Sequence, residues 1–169
     1  MKGNLFENKV VIEDTGAQEL YQKGGYGDFE NNKLELALIE ALYLLEGGKI
    51  DVYSNERKLS FNMLTTMAKK KDRRFVTRYT VYKDIRTRGY VTKTALKYGA
   101  DFLVYPRGKK PWEEHSKWAL FCVHESEAFD WRKFVALNRV AHSVRKDLLM
   151  GIVDDLGDVT YYESSWVRP

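Results

Sequence analysis

The segment His115–His124 constrains the fold more than any other stretch. Its alternation places Trp118, Leu120 and Cys122 on one side, and Lys117, Ala119, Phe121 and Val123 on the other. Both sides are largely apolar, so a strand here has to be covered on both faces and sit centrally in a sheet. The flanking sequence supplies the covers. A helix is expected from Phe75 to about Arg88, with Tyr79, Tyr82 and Ile85 on one face and Gly89 ending it. Strands follow at Tyr90–Thr94 and Ala100–Tyr105, then a turn containing Pro106, Gly108 and Pro111. A second helix, from Asp130 to Lys146, turns Phe134, Leu137, Val140, Ala141 and Val144 inward. Leu148–Val153 and Val159–Tyr162 read as closing strands around the turn Asp154–Asp158.

The first part of the chain is a smaller unit of the same kind. Val10–Ile12 reads as a strand, Ala17–Lys23 as a short helix closed by Gly24-Gly25, and Leu34–Glu46 as a helix stopped by Gly47-Gly48. Ile50–Tyr53 is a short strand, and Ser60 is placed to cap a helix running into the basic stretch Lys69–Arg74. The expected class is α/β (α+β): an N-terminal α/β domain over 1–74, then a second α/β domain with a mixed central sheet over 75–169.

Composition excludes several classes. The 169 residues are 44% hydrophobic and 31% charged, as in an ordinary globular protein. A single cysteine, Cys122, rules out an internal disulfide framework. No apolar run is long enough to span a bilayer, and the first residues carry no secretory core, so a cytoplasmic protein with no membrane partner is expected. The net charge of +4 is unevenly spread. Between Lys69 and Lys117 stand fifteen basic and five acidic residues; elsewhere thirteen face nineteen. A basic middle between acidic ends favours a polyanion, such as nucleic acid, as partner.

The familiar nucleotide and hydrolase motifs are missing: there is no GxxxxGK[ST], HExxH or GxSxG. His124 and His142 read as a strand-end and a helix histidine. His115 differs, because it follows a Gly/Pro turn beside Lys117 and downstream of Tyr105 and Arg107. Tyrosine, histidine and several cations without evident metal ligands suit RNA cleavage by the neighbouring 2′-hydroxyl. That reaction needs a base, an acid for the leaving 5′-oxygen and a cation beside the phosphorane. It requires no cofactor and no metal. A metal-dependent nuclease using Asp101 with Glu113 or Glu114 is the alternative.

Several stretches closely resemble the archaeal tRNA-intron (splicing) endonucleases. They are Tyr79–Lys93, Leu96–Tyr105, Glu114-His115-Ser116, Arg139–Lys146 and Val153–Tyr162, with Leu38–Leu44 in the first half. The resemblance implies a nuclease-like C-terminal domain with the catalytic set Tyr105, His115 and Lys146, spaced by ten and thirty-one residues. It also implies cleavage of precursor tRNA at both exon–intron junctions of a bulge-helix-bulge element. The products would be 2′,3′-cyclic phosphate and 5′-hydroxyl ends. Short members of the family assemble as homotetramers, a dimer of dimers; a catalytic chain working only with a second, structural chain is the other arrangement. Arg139 matches a position that clamps a bulge base. Arg107 and Arg168 are further candidates for RNA contact. Seven residues apart on the expected helix, Arg139 and Lys146 would share a face.

Overall fold

The structure is a computed structural model that describes residues 1–95 and 99–169. Leu96, Lys97 and Tyr98, part of the resembling sequence, lie outside the described residues. The chain divides into two compact units, Met1–Val76 and Thr77–Pro169. Among the described residues no helix is long and apolar enough to cross a membrane.

The first unit is built on a six-stranded sheet. Its strands are β1 (Lys2–Phe6), β2 (Lys9–Ile12), β3 (Asp28–Glu30), β4 (Lys33–Ala37), β5 (Asp51–Ser54) and β6 (Arg57–Leu59), in the order β3-β4-β2-β1-β5-β6. Only β1 and β5 pair in parallel. The helices are α1 (Ala17–Gly24), α2 (Leu38–Glu46) and α3 (Phe61–Lys71). Ser60 caps α3 as expected, its hydroxyl accepting from Met63 N at 3.3 Å. Residues 34–37, expected as the start of a helix, are strand instead. Leu34 and Leu36 are buried while Glu35 between them reaches Lys9, a repeat of two rather than 3.6. The helix starts at Leu38, where the buried Glu40 carboxylate accepts from the Ala37 and Gly27 amides, both at 2.9 Å. Gly27 has φ +57, and a Cβ there would lie 2.3 Å from the Glu35 carbonyl oxygen, so no other residue fits.

The second unit carries α4 (Phe75–Thr87, beginning at the division between the units) and a five-stranded sheet. Its strands are β7 (Thr92–Thr94), β8 (Phe102–Val104), β9 (Trp118–His124), β10 (Asp147–Val153) and β11 (Val159–Ser164), ordered β11-β10-β9-β8-β7. β9 is central, parallel to β10 and antiparallel to β8, so the sheet is mixed. Its two apolar sides are covered as its alternation requires. Ala119, Phe121 and Val123 join a core with Leu137 and Ala141 of α5 (Trp131–Ser143). On the α4 side, Tyr82 packs its ring 5.5 Å from that of Phe102. Gly151 in β10 leaves room for Val81, whose Cγ1 would stand 2.8 Å from an added Cβ.

Two bounds shift in ways that matter for the site. β9 begins at Trp118, leaving His115 in the preceding loop. α5 ends at Ser143, not at Lys146. Arg145 takes a left-handed φ of +57°, and Lys146 N closes back onto the Ala141 carbonyl at 2.9 Å. The chain then enters β10 directly.

Candidate active site

β9 and β10 run in parallel, and β8 runs against them. The end of β8 therefore meets the starts of β9 and β10 at one edge of the sheet. Tyr105 directly follows β8, His115 stands three residues before β9, and Lys146 directly precedes β10. All three line one open cleft of about 250 Å³, together with Leu103, Glu114 and Ser116. Backbone bonds lock this edge: Lys117 N donates to the Val104 carbonyl at 2.9 Å, and Asp147 N to the Lys117 carbonyl at 3.2 Å.

The three groups differ in environment. Tyr105 is 9% exposed, and its amide donates to the Val91 carbonyl at 3.0 Å. His115 is exposed, and among the described residues its ring has no hydrogen-bonding partner. Lys146 is half-buried; its Nζ donates to the Ser116 carbonyl at 2.8 Å and meets no carboxylate among the described residues. Burial alone pushes this ammonium below the usual lysine range. A partly desolvated cation without a counter-anion favours an incoming phosphate. With an imidazole and a phenol in the same cleft, the groups can transfer protons and stabilise charge around a phosphodiester.

The arginines lie elsewhere. Arg139, on α5, lines a separate shallow concavity with Trp131, Arg132, Val135 and Ala136. It is exposed and has no acidic partner among the described residues. Because α5 stops at Ser143, Arg139 and Lys146 are not successive turns of one helix, which corrects the shared-face expectation. Arg107 is exposed, with its guanidinium against Gly89. Arg168 is in the exposed segment after β11; neither arginine lines the cleft. The basic stretch is also divided, with Lys69–Arg74 in the first unit and the rest in the second.

Asp101 does not fit the metal-dependent alternative. It is 2% exposed and lines no part of the cleft. Its carboxylate accepts from Cys122 N at 2.8 Å and lies 3.1 Å from Arg78 Nε, a buried structural pair. Glu113 accepts from the Lys110 amide at 3.0 Å. Among the described residues no three His, Cys, Asp or Glu side chains converge as metal ligands. Ser116, whose carbonyl holds Lys146, had no separate signal in the sequence beyond its place beside His115.

The class the fold and site define is a two-unit α/β protein whose second unit gathers a phenol, an imidazole and an ammonium in one cleft. Comparison narrows this. Residues 75–161 match the family model of the tRNA intron endonuclease catalytic C-terminal domain, and residues 1–65 match that of its N-terminal domain. The chain is 46% identical over 150 residues to the tRNA-splicing endonuclease of Thermococcus onnurineus, covering 89% of this chain and 86% of that one. It is 42% identical over 175 aligned positions to the tRNA-splicing endonuclease of Nanoarchaeum equitans, along the whole of both chains. With that of Methanothermobacter thermautotrophicus it shares 38% identity over 170, covering all of this chain and 99% of the other. The chain belongs to the tRNA intron endonuclease family, carries both family domains in order, and is an enzyme.

Proposed function

We propose that this enzyme cuts precursor tRNA at both exon–intron junctions of a bulge-helix-bulge element by metal-independent transesterification. Tyr105 takes the proton of the attacking 2′-hydroxyl, His115 protonates the leaving 5′-oxygen, and Lys146 stabilises the phosphorane. The observation that carries the reading is the Lys146 ammonium, without a counter-anion and sharing its cleft with His115 and Tyr105. The catalytic domain spans 75–169 and follows an N-terminal domain over 1–74; the enzyme works in the cytoplasm with its substrate. Arg139 stacks on an unpaired bulge base, with Arg107 and Arg168 on the flanking RNA. The free guanidinium of Arg139 supports this, since an unstacked base offers its face to such a plane.

Two cuts at a fixed separation call for two active sites, hence an oligomer, and the resemblance to the short members of the family makes it a homotetramer arranged as a dimer of dimers. Support comes from β11, an edge strand, and from the apolar hollow of Phe129, Trp131, Phe134, Met150, Ile152 and Tyr162. Trp131 is 81% exposed there, as a residue awaiting a second copy would be. The test is cleavage-site mapping by the purified chain alone, with its mass by gel filtration. Two cuts on a bulge-helix-bulge RNA, none on the same RNA with its bulges closed, and a tetramer mass are expected. Inactivity of the chain alone, or cutting of both RNAs, would contradict the reading.

A further inference from the structure

The loop that carries His115 also carries an aromatic side chain that the proposed chemistry does not use. Between Pro106 and Trp112 stand three cations, Arg107, Lys109 and Lys110, and no acid. Trp112 follows them and is 46% exposed. Its ring centre lies 5.8 Å from Lys110 Nζ, within cation–π range. An aromatic surface set among cations suits an unpaired nucleotide, whose base stacks on the ring while its phosphate meets the charge.

The loop is held in shape by its own bonds. Lys109 N donates to the Pro106 carbonyl at 2.9 Å, and Gly108 between them takes φ +78°. Glu113 N and Glu114 N both donate to the Lys110 carbonyl, at 2.9 and 3.2 Å. Lys110 N donates back to the Glu113 carboxylate at 3.0 Å. Trp112 therefore stands on a closed turn, and little ordering remains to oppose binding.

Position decides which nucleotide the ring reaches. In the chain Trp112 lies between Pro111 and Glu114, both in the wall of the cleft, and three residues before His115. Three residues span at most about 10 Å, and a closed turn spans less. In the reading above, His115 faces the leaving 5′-oxygen, which belongs to the nucleotide downstream of the cut. The base of that nucleotide is the one brought nearest to Trp112.

We propose that Trp112 is a substrate-binding residue whose indole stacks on the base immediately downstream of the scissile phosphate, with Arg107 and Lys110 at the adjoining phosphates. The inference rests on the transesterification reading above, through its assignment of His115 to the leaving group. Stacking reads a flat face and not a base identity, so the contact serves any sequence at that position.

The test compares the full-length enzyme with its W112A and W112F variants on two bulge-helix-bulge RNAs, one intact and one abasic just downstream of the cut. The abasic RNA keeps the attacking 2′-hydroxyl, which belongs to the upstream nucleotide. On intact RNA, Trp112→Ala should raise the RNA concentration giving half-maximal single-turnover rate by about 10- to 100-fold, as loss of one base–aromatic stack does. The rate at saturating RNA should fall far less, because the ring touches no reacting atom. Trp112→Phe should recover most of the loss. Wild type should bind the abasic RNA about as poorly as Trp112→Ala binds the intact one. Trp112→Ala should lose little more on the abasic RNA, the coupling expected of two groups in contact. A Trp112→Ala loss under threefold on intact RNA, or an equal loss on both RNAs, as damage to the loop would give, overturns the assignment. The transesterification reading survives either result while wild type leaves a cyclic phosphate. Wild type leaving none overturns both.

Discussion

Three lysines of the first unit and the lysine of the cleft are perturbed in opposite directions. Lys23, Lys33 and Lys58 each meet a carboxylate, of Glu19, Glu13 and Asp51, at 2.7, 2.5 and 2.6 Å. Those hydrogen bonds hold their pKa values above the ordinary lysine range. Lys146 has no such partner among the described residues, and burial pushes it the other way. His115 and Arg139 are likewise unpaired there. Charge in these first-unit pairs is matched by a neighbouring carboxylate, whereas the half-buried Lys146 is left open to an incoming anion. Exposed pairs like those of the first unit contribute little to stability, so the contrast concerns location of function more than folding.

Breaking the open side of this comparison should have the largest effect. His115→Ala should reduce cleavage by about 10²–10⁴-fold while RNA affinity stays within a few-fold, because an acid acts on the leaving group and adds little binding. Single-turnover rates with a parallel filter-binding assay separate the two quantities.

Next comes Lys146→Met, which should slow cleavage by about 10²–10³-fold, as loss of one oxyanion-stabilising donor does. The folded chain holds the Lys146 proton less tightly than the unfolded chain does. Stability from this group is therefore lowest while it is protonated and rises as pH climbs through the folded-state pKa. Lys146→Met should accordingly melt at or slightly above the wild-type temperature near neutral pH. Lys146→Arg keeps its charge at every accessible pH, so any alkaline loss of activity set by Lys146 should move upward. An unchanged alkaline limb would remove that titration from the mechanism.

A smaller loss is expected at Arg139. Alanine there should weaken cutting of bulged RNA by about tenfold or more, in line with stacking energies of ~1–3 kcal/mol per base. Lysine should restore little, because it keeps the charge but lacks the plane. Full rescue by Arg139→Lys, read from cleavage rates, would leave only a phosphate contact. The smallest effect belongs to the paired side. Lys33→Ala, which removes one exposed partner of Glu13, should leave both the melting curve and the cleavage rate within error of wild type.

Where the sequence was legible, one repeat dominated. β9 was readable because Leu120 and Cys122 on one side and Ala119, Phe121 and Val123 on the other all demand burial. Leu34–Ala37 reads as helix in the sequence because Leu34 and Leu38 also fit a helical stripe; pairing of β4 with β2 decides between the periods. β1 and β6 carry too few apolar residues to announce themselves, since register against neighbours defines them. The early end of α5 was hidden because a left-handed arginine such as Arg145 is rare outside glycine-like positions. The cleft groups come from three chain segments, and no local spacing brings Tyr105, His115 and Lys146 together. Their joint position was expected from family resemblance, and strand order explains how the fold gathers them.

Cleavage by open side chains alone is tested most directly by end-group analysis of a precursor-tRNA digest in excess EDTA. The prediction is an undiminished rate, with a 2′,3′-cyclic phosphate on each upstream fragment and a 5′-hydroxyl on each downstream one. Activity abolished by EDTA, or fragments ending in a 3′-hydroxyl and a 5′-phosphate, would contradict it.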